Sequence, residues 1–414
     1  MSERTPDTTL LVISPGQREL REWHLSRLRA EHRLVLLTTR PLTWEAPYVD
    51  DHVRIRPGDT AGVLDAAADL ARRHRLGGVL TYHEPCVPLV PQIAEKLGLP
   101  HGNLGGIQHT RDKHATRTAL AAAGVPSARS VLVESLADTR RAAAEIGFPV
   151  VVKPRSLAAS KGVSKAVDDA ALPAAWERAC AGRLSEPWAH DPGVLVEEFL
   201  SGDEISVDSA LLDGRRTSLV YARKFLSREP YFEEVGHIAG VPELIVDDVA
   251  EIETLLDEAH LALGLGSAVT HTEIRLTGTG PRIIEVNGRS GGGLIARIGL
   301  LATGTDVVAA EGAIATGQPY RPPPAPPPDR VVGVRFLYPA RTGTVARIGY
   351  RDGFDVPGWT LDTGWFAGTG ARVDASEPMT YLARIGYAIV EAAEVASCAD
   401  RMERLAANVV CQTE

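Results

Sequence analysis

Two acids, an amide and a guanidinium fall within a short stretch of this 414-residue chain: Glu273 in "THTEIRL", then Glu285, Asn287 and Arg289 in "PRIIEVNGRSGGG", residues 281–293. Side chains alternate faces along a strand, so Glu285, Asn287 and Arg289 share one face while Ile284 and Val286 turn to the core. The two runs are joined by Gly-Thr-Gly and read as a hairpin. Glu273 then faces Glu285 across the spacing of about 5 Å between strands. Two carboxylates and an amide oxygen are hard ligands that suit Mg2+ or Mn2+, and a divalent ion removes the repulsion between the acids.

Magnesium in proteins usually arrives with phosphates, which require cations and backbone N–H groups. The chain supplies them in order: Lys113, Lys153 at the end of "IGFPVVVKP", then the small-residue loop around Ser160, Lys161 and Gly162. Each lysine alone reads as a solvated charge; the ordered set points to a polyphosphate. Arg289 stands one strand step beyond Asn287, where its fork can hold a carboxylate or an oxyanion, the plainer alternative being a surface salt bridge. Gly291, Gly292 and Gly293 either bring N–H groups to the same oxygen or simply form a turn.

The elements that position these groups alternate first as strand and helix: strands at 10–16, 33–39 and 77–82, with helices at 21–32 and 62–74 between them. That order predicts a parallel sheet covered on both faces, with ligands beyond the carboxyl ends of its strands. "TYHEPCVP" ends the third strand, placing His83 and Glu84 where a ligand is expected, unless Glu84 only caps the helix starting near Val87. No G-x-G-x-x-G follows the first strand, so a dinucleotide site is not indicated. A helix at 112–123, two strands joined by a polar hinge at 193–211 and a helix from Asp247 to Leu263 precede the hairpin. "PYRPPPAPPPDR" (319–330) is too rich in proline for a helix or central strand and reads as a stiff connector. A separate α+β module is expected beyond it.

The net charge of −9 lacks the basic footprint of a nucleic-acid binder. Cys86, Cys180, Cys398 and Cys411 lie far apart without metal-site spacing, which suggests a reducing, cytoplasmic setting. No apolar run reaches the roughly 18 residues of a membrane span, and the first 16 residues lack the apolar core of a signal peptide.

The run "VLVEEFLSGDEISVDS", with Lys113 and Lys153 upstream and "HTEI…IIEVNGR" downstream, resembles the ATP-grasp superfamily of carboxylate–amine ligases over roughly 110–318. The resemblance implies an α/β and α+β protein with a Rossmann-like parallel-sheet domain over 1–110 and an ATP-grasp domain over 111–318. The latter has a small lobe about 113–199 and a large lobe about 200–318, followed by the connector and a C-terminal α+β domain over 331–414. It implies ATP and Mg2+ (or Mn2+) as cofactors, with Lys113, Lys153 and the loop at Ser160, Lys161 and Gly162 on the phosphates. The hinge Glu197, Glu198, Phe199 and Leu200 would line the adenine site, Glu204 would hold the ribose, and Glu273, Glu285 and Asn287 the metal.

Within that superfamily the chain most resembles bacterial L-amino acid ligases. "PYFEEVGHIAGVP" carries His237, which matches a residue lining their substrate pocket; "HE" at 83–84 sits where they place an acid near the substrate ammonium, with His83 replacing their usual amide. Leu157 and Gly292 are further candidates for the substrate wall, and His83, Leu157 and His237 each have an equal reading as core or surface residues. The implied function is an ATP-dependent ligase that joins an amino acid carboxylate to an amine through an acyl phosphate, with Arg289 as the catalytic candidate. The alternatives are a biotin-carboxylase-like enzyme activating bicarbonate and a module that binds ATP without turnover. The expected partners are small molecules rather than nucleic acid or membrane. The connector leaves the C-terminal domain free to pack on a second copy, which admits a homodimer.

Overall fold

A computed structural model describes residues 8–157, 159–184, 192–376 and 380–414. Near the N-terminus four parallel strands run in the order Asp51–Arg54, Arg33–Thr38, Thr9–Ile13, Leu76–Thr81. Period-two alternation gives this sheet two apolar faces. Leu11, Ile13, Val35 and Leu37 pack on Val63, Ala67 and Leu70 of the helix Thr60–Arg73, whereas Leu10, Val12, Leu34 and Leu36 pack on Leu25 and Leu28 of the helix Arg18–Glu31. Val308, on the helix Val307–Ala315, joins the second face and ties this sheet to the rest of the molecule.

Two further sheets form the walls of the site. A four-stranded antiparallel sheet has the order Ser130–Val133, Val194–Glu198, Val150–Pro154, Ser164–Ala166, backed by helices Leu136–Ile146 and Leu172–Leu184. Its core includes Val150, Val152, Val194 and Val196, packed on Ala142, Ala143, Ala175 and Ala179. The other is an eight-stranded antiparallel sheet: Gly280–Asn287, Ala268–Thr277, Asp203–Leu212, Arg215–Leu226, Glu234–Gly240, Val331–Leu337, Gly386–Ala392, Thr360–Trp365. One of its faces is covered by the helix Val249–Ala262, through Ile252, Leu255, Leu256 and Ala259. The other is covered by Ile295, Ala296 and Ile298 of the helix Ile295–Thr303.

That sheet corrects the expectation of a separate C-terminal module. The segment 319–330 has no regular structure, as its prolines dictate, but the strand after it pairs with Glu234–Gly240, from Gly236↔Arg335 to Gly240↔Val331. Backbone N–H and C=O groups on the edge of Glu234–Gly240 find their partners only beyond the connector. The helix Val395–Ala406 then packs Cys398, Met402 and Leu405 against Ile238, Val331 and Val390, so one core spans both sides of the proline segment. No single helix among the described residues is long and apolar enough to cross a membrane.

Candidate active site

The hairpin forms as its residue types require. Ala268–Thr277 pairs with Gly280–Asn287, setting Glu273 opposite Glu285 and His271 opposite Asn287. A bulge between Glu273 and Ile274 leaves Ile274 opposite Ile283, so Ile284 is the extra residue. Ile283 and Val286 lie in the core, whereas Ile284 lines the cleft beside Glu285, Asn287 and Arg289, contrary to strict alternation.

These residues open into a cavity of about 330 Å3, also lined by Lys113, Lys153, Glu197, Glu198, Phe199, Leu200 and Glu204. That volume lies in the range of small-molecule sites. Lys113, first residue of the helix Lys113–Ala122, reaches across with Nζ 3.1 Å from Glu285 and donates to the Leu157 carbonyl at 2.5 Å. Lys153, next to last in the strand Val150–Pro154, has Nζ 2.6 Å from Glu197, and Arg117 grips the same carboxylate through two hydrogen bonds of 2.9 and 3.1 Å. Burial opposes ionisation of Glu197, but Arg117 and Lys153 outweigh it and bring its carboxyl down to about 2. Burial lowers the Lys153 ammonium as well. Glu197, Glu198, Phe199 and Leu200 thus stand on the cleft wall, the first of them already paired with two cations.

Another cation, Lys224, organises the floor. Lys224 Nζ lies 2.7 Å from Glu204, 2.9 Å from Glu234 and 3.0 Å from Glu273, and Arg275 meets Glu204 at 2.5 Å. Burial alone would lower the Lys224 ammonium, but three carboxylates hold it well above its ordinary value. His271 sits between Asp208, at 2.7 Å from Nδ1, and Glu273, at 3.5 Å from Nε2. Burial disfavours its charged form, yet the two acids push it up to about 9, so it carries a proton at neutral pH. Asn287 is buried and its Oδ1 has no hydrogen-bond partner among the described residues.

At the other end, Glu84 is buried and held by Arg111 at 2.9 Å and by Arg289. Burial raises its carboxyl, but Arg289 and Arg111 overcome that and bring it down to about 2. His83 lines the cleft beside it, with Nδ1 3.4 Å from Cys86 Sγ. Leu157 and Gly292 also line the cavity.

His237 and Gly162 are placed differently from expectation. His237 is fully buried and absent from the cavity wall: its ring meets Phe336 edge-on and a Cβ on Gly293 would stand 2.6 Å from its Nε2. It supports Glu234, 3.4 Å away, from behind. Gly162 lies under the loop, where a Cβ would meet Pro154 Cγ at 2.8 Å and where φ is +76°; its neighbours Ser160, Lys161 and Val163 reach the cavity instead. Ser160 Oγ donates to the Phe232 carbonyl at 2.9 Å, closing the loop against the large sheet. Ala158 of the same loop falls outside the described residues. Gly291 spends its N–H on Asp208, at 3.2 Å, and a Cβ there would lie 2.8 Å from His271 Nδ1; packing accounts for it and for Gly293.

A family model described as the ATP-grasp domain matches residues 146–297, and one described as the ATP-grasp N-terminal domain matches 32–101. The chain therefore carries an ATP-grasp domain and the N-terminal domain that goes with it. An alanine–anticapsin ligase of Bacillus subtilis is 29% identical over 231 residues, which cover 52% of this chain and 48% of that protein. The chain thus spans about half the length of that relative. The structure of an L-amino acid ligase from Bacillus licheniformis is similar at a TM-score of 0.81 and 22% identity, covering 99% of this chain and 100% of that one. A biotin carboxylase domain from Hydrogenobacter thermophilus, in complex with MgADP, ADP and bicarbonate, is similar at a TM-score of 0.72 and 17% identity, covering 98% of this chain and 90% of that one. The likenesses to solved structures show the ATP-grasp fold.

Several groups in or directly behind this ATP-grasp cleft were not singled out from sequence: Lys224, His271, Arg275, Arg111 and Glu234 on its wall, and Arg117 and Asp208 paired to it from behind. A signal existed for His271 and Arg275, which share the face of Glu273 by alternation in "HTEIR". Arg117 and Lys224 meet partners distant in sequence, which no local spacing encodes.

Proposed function

We propose that this protein is an ATP-dependent ligase that joins the carboxylate of an amino acid to an amine, releasing ADP and phosphate. The observation that carries the reading is the unpartnered Asn287 Oδ1, buried beside the facing pair Glu273 and Glu285 in the cavity that also receives Lys113 and Lys153. Among the described residues no three His, Cys, Asp or Glu side chains form a closed metal site. Two acids and one amide suit a magnesium ion that takes the rest of its shell from phosphates and water. Magnesium, when bound, supplies charge neutralisation on the phosphates.

The chain's own groups divide the remaining work. Lys113 and Lys153 neutralise phosphate oxygens, and the loop at Ser160 and Lys161 lies over them with Gly162 permitting its turn. The hinge Glu197–Leu200 borders the adenine and Glu204, locked by Lys224 and Arg275, borders the ribose. An oxygen of the substrate carboxylate attacks the γ-phosphorus and the bond to ADP breaks. The amine nitrogen, having lost its proton, then attacks the acyl carbon; the carbon–oxygen bond breaks and phosphate leaves. Both steps place negative charge on oxygen near Arg289, which Glu84 orients and keeps protonated. Glu84, His83, Leu157 and Gly292 bound the substrate end, and His237 acts on it only through Glu234 and Gly293.

A coupled assay of ADP and phosphate release over pairs of amino acids tests the reading, with product formation expected for at least one pair. Bicarbonate-dependent ADP formation without an amine would mark the carboxylase-like alternative. ATP binding without product from any carboxylate and amine would mark a non-catalytic module.

A further inference from the structure

Arg21 is a cation of the cleft that forms no ion pair among the described residues. Arg21 stands in the first turns of the helix Arg18–Glu31, and it lines the same cavity as Tyr82, His83, Glu84 and Arg289. Its Nη1 donates to His24 Nε2 at 3.0 Å, and its guanidinium carbon lies 4.8 Å from the centroid of the Tyr82 ring. His24 supplies no charge, since burial and then Arg21 itself keep the imidazole well below its ordinary value. Among the described residues no carboxylate lies within ion-pair distance of Arg21. By contrast, Arg289 and Arg111 share Glu84, and Lys113 holds Glu285.

The acids whose field reaches Arg21 are already committed or only partly charged. Asp208 is paired with His271, and burial pushes the Glu311 carboxyl up to about 7. Burial and the neighbouring charge of Arg289 lower Arg21 to about 10, which leaves it cationic at neutral pH. Beside it stands the buried hydroxyl of Tyr82, which faces Glu311. A half-buried guanidinium with no carboxylate, in the field of a second one, is disfavoured, and an anion received between them removes that cost.

We infer that Arg21 binds the free carboxylate of the amine-donating substrate, so that this substrate is an amino acid or another amino-carboxylate and not a simple amine. The inference rests on the ligase reading. The carboxylate that becomes the acyl group must meet the γ-phosphate beside Glu285, Asn287 and Lys113. Arg21 comes instead from the N-terminal sheet's helix, with Tyr82 and His83 at the end of the adjacent strand. The group it holds takes no part in bond making; it fixes the amine nitrogen's approach to the acyl carbon.

The test uses the full chain with ATP and magnesium, each amino acid of the pair screen being offered as amine donor beside its own carboxamide. The wild type is expected to favour the acid. Arg21→Met is expected to raise KM for the acid by about 30-fold or more while moving KM for the amide by no more than about threefold, and Arg21→Lys to restore part of the difference. Because acid and amide are compared within one variant, any loss of folded protein cancels. Equal use of acid and amide by the wild type, or an equal shift of both in Arg21→Met, overturns the assignment and leaves the ligase reading standing. A wild type that forms product with no carboxylate–amine pair overturns the ligase reading and this inference with it.

Discussion

Glu311 lies behind the cleft on the helix Val307–Ala315, facing Ser290, Arg21, Tyr82 and Asp208. Burial raises its carboxyl from 4.5 to about 7. Stability from this group is therefore full below the unfolded value and is lost as pH rises from about 4.5 through about 7, by an amount of the order of 3 kcal/mol. Glu311→Gln keeps the shape and removes the titration. The melting temperature of the variant relative to the wild type should accordingly climb between pH 5 and pH 8; an equal offset at both pH values would refute the assignment. Glu84 and Glu197 behave in the opposite sense, since their cationic partners hold them at about 2 and their contribution fades only as pH falls toward that value. At this scale the sequence was informative where spacing is local. Glu273, Glu285 and Asn287 could be grouped because strand alternation and one turn relate them. The cations around them could not all be: Lys224 pairs with Glu273, Arg117 pairs with Glu197 behind the cleft, and Arg21 lines the cavity from the helix Arg18–Glu31, and no periodicity announces which residues long-range packing will bring together.

Among the elements, the link between the strands Val194–Glu198 and Asp203–Leu212 is the tightest. Gly202 has φ +129°, and a Cβ there would stand 1.9 Å from the Leu276 carbonyl oxygen, part of the strand that carries Glu273. Neither the backbone nor that oxygen can give way without disturbing the sheet register. Gly202→Ala should cost about 2–4 kcal/mol, read as a fall of the thermal midpoint by several degrees, and an unchanged midpoint would refute the argument. Most elements were legible: the strand at 10–16 is observed at Thr9–Ile13, the helix at 62–74 at Thr60–Arg73, and the hairpin with its turn is where its residues put it. The bulge at Ile284 was not, because "RIIEV" is equally compatible with regular and bulged pairing and the partner strand decides between them.

For the molecule as a whole, the continuity of the eight-stranded sheet across the proline connector sets a testable limit. Ending the chain at residue 330 would bare the edge of Glu234–Gly240 and strip Ile238 of its packing against Val331, Val390 and Met402. Such a fragment is expected to aggregate or to lose ATP-dependent turnover; a soluble, fully active fragment would contradict it. The proline run was readable as a break in secondary structure, yet a break in helix and strand is not a break in the core, and strand partners this remote in sequence leave no local trace. The same continuity has a consequence for selectivity. Tyr381 and Arg384 belong to the chain after the connector, yet both border the cavity, and Arg384 donates to the Glu234 carbonyl at 2.8 Å. A chimaera that exchanges this tail with that of a relative would therefore exchange part of the cavity wall, and preference among the small molecules it admits would travel with the graft.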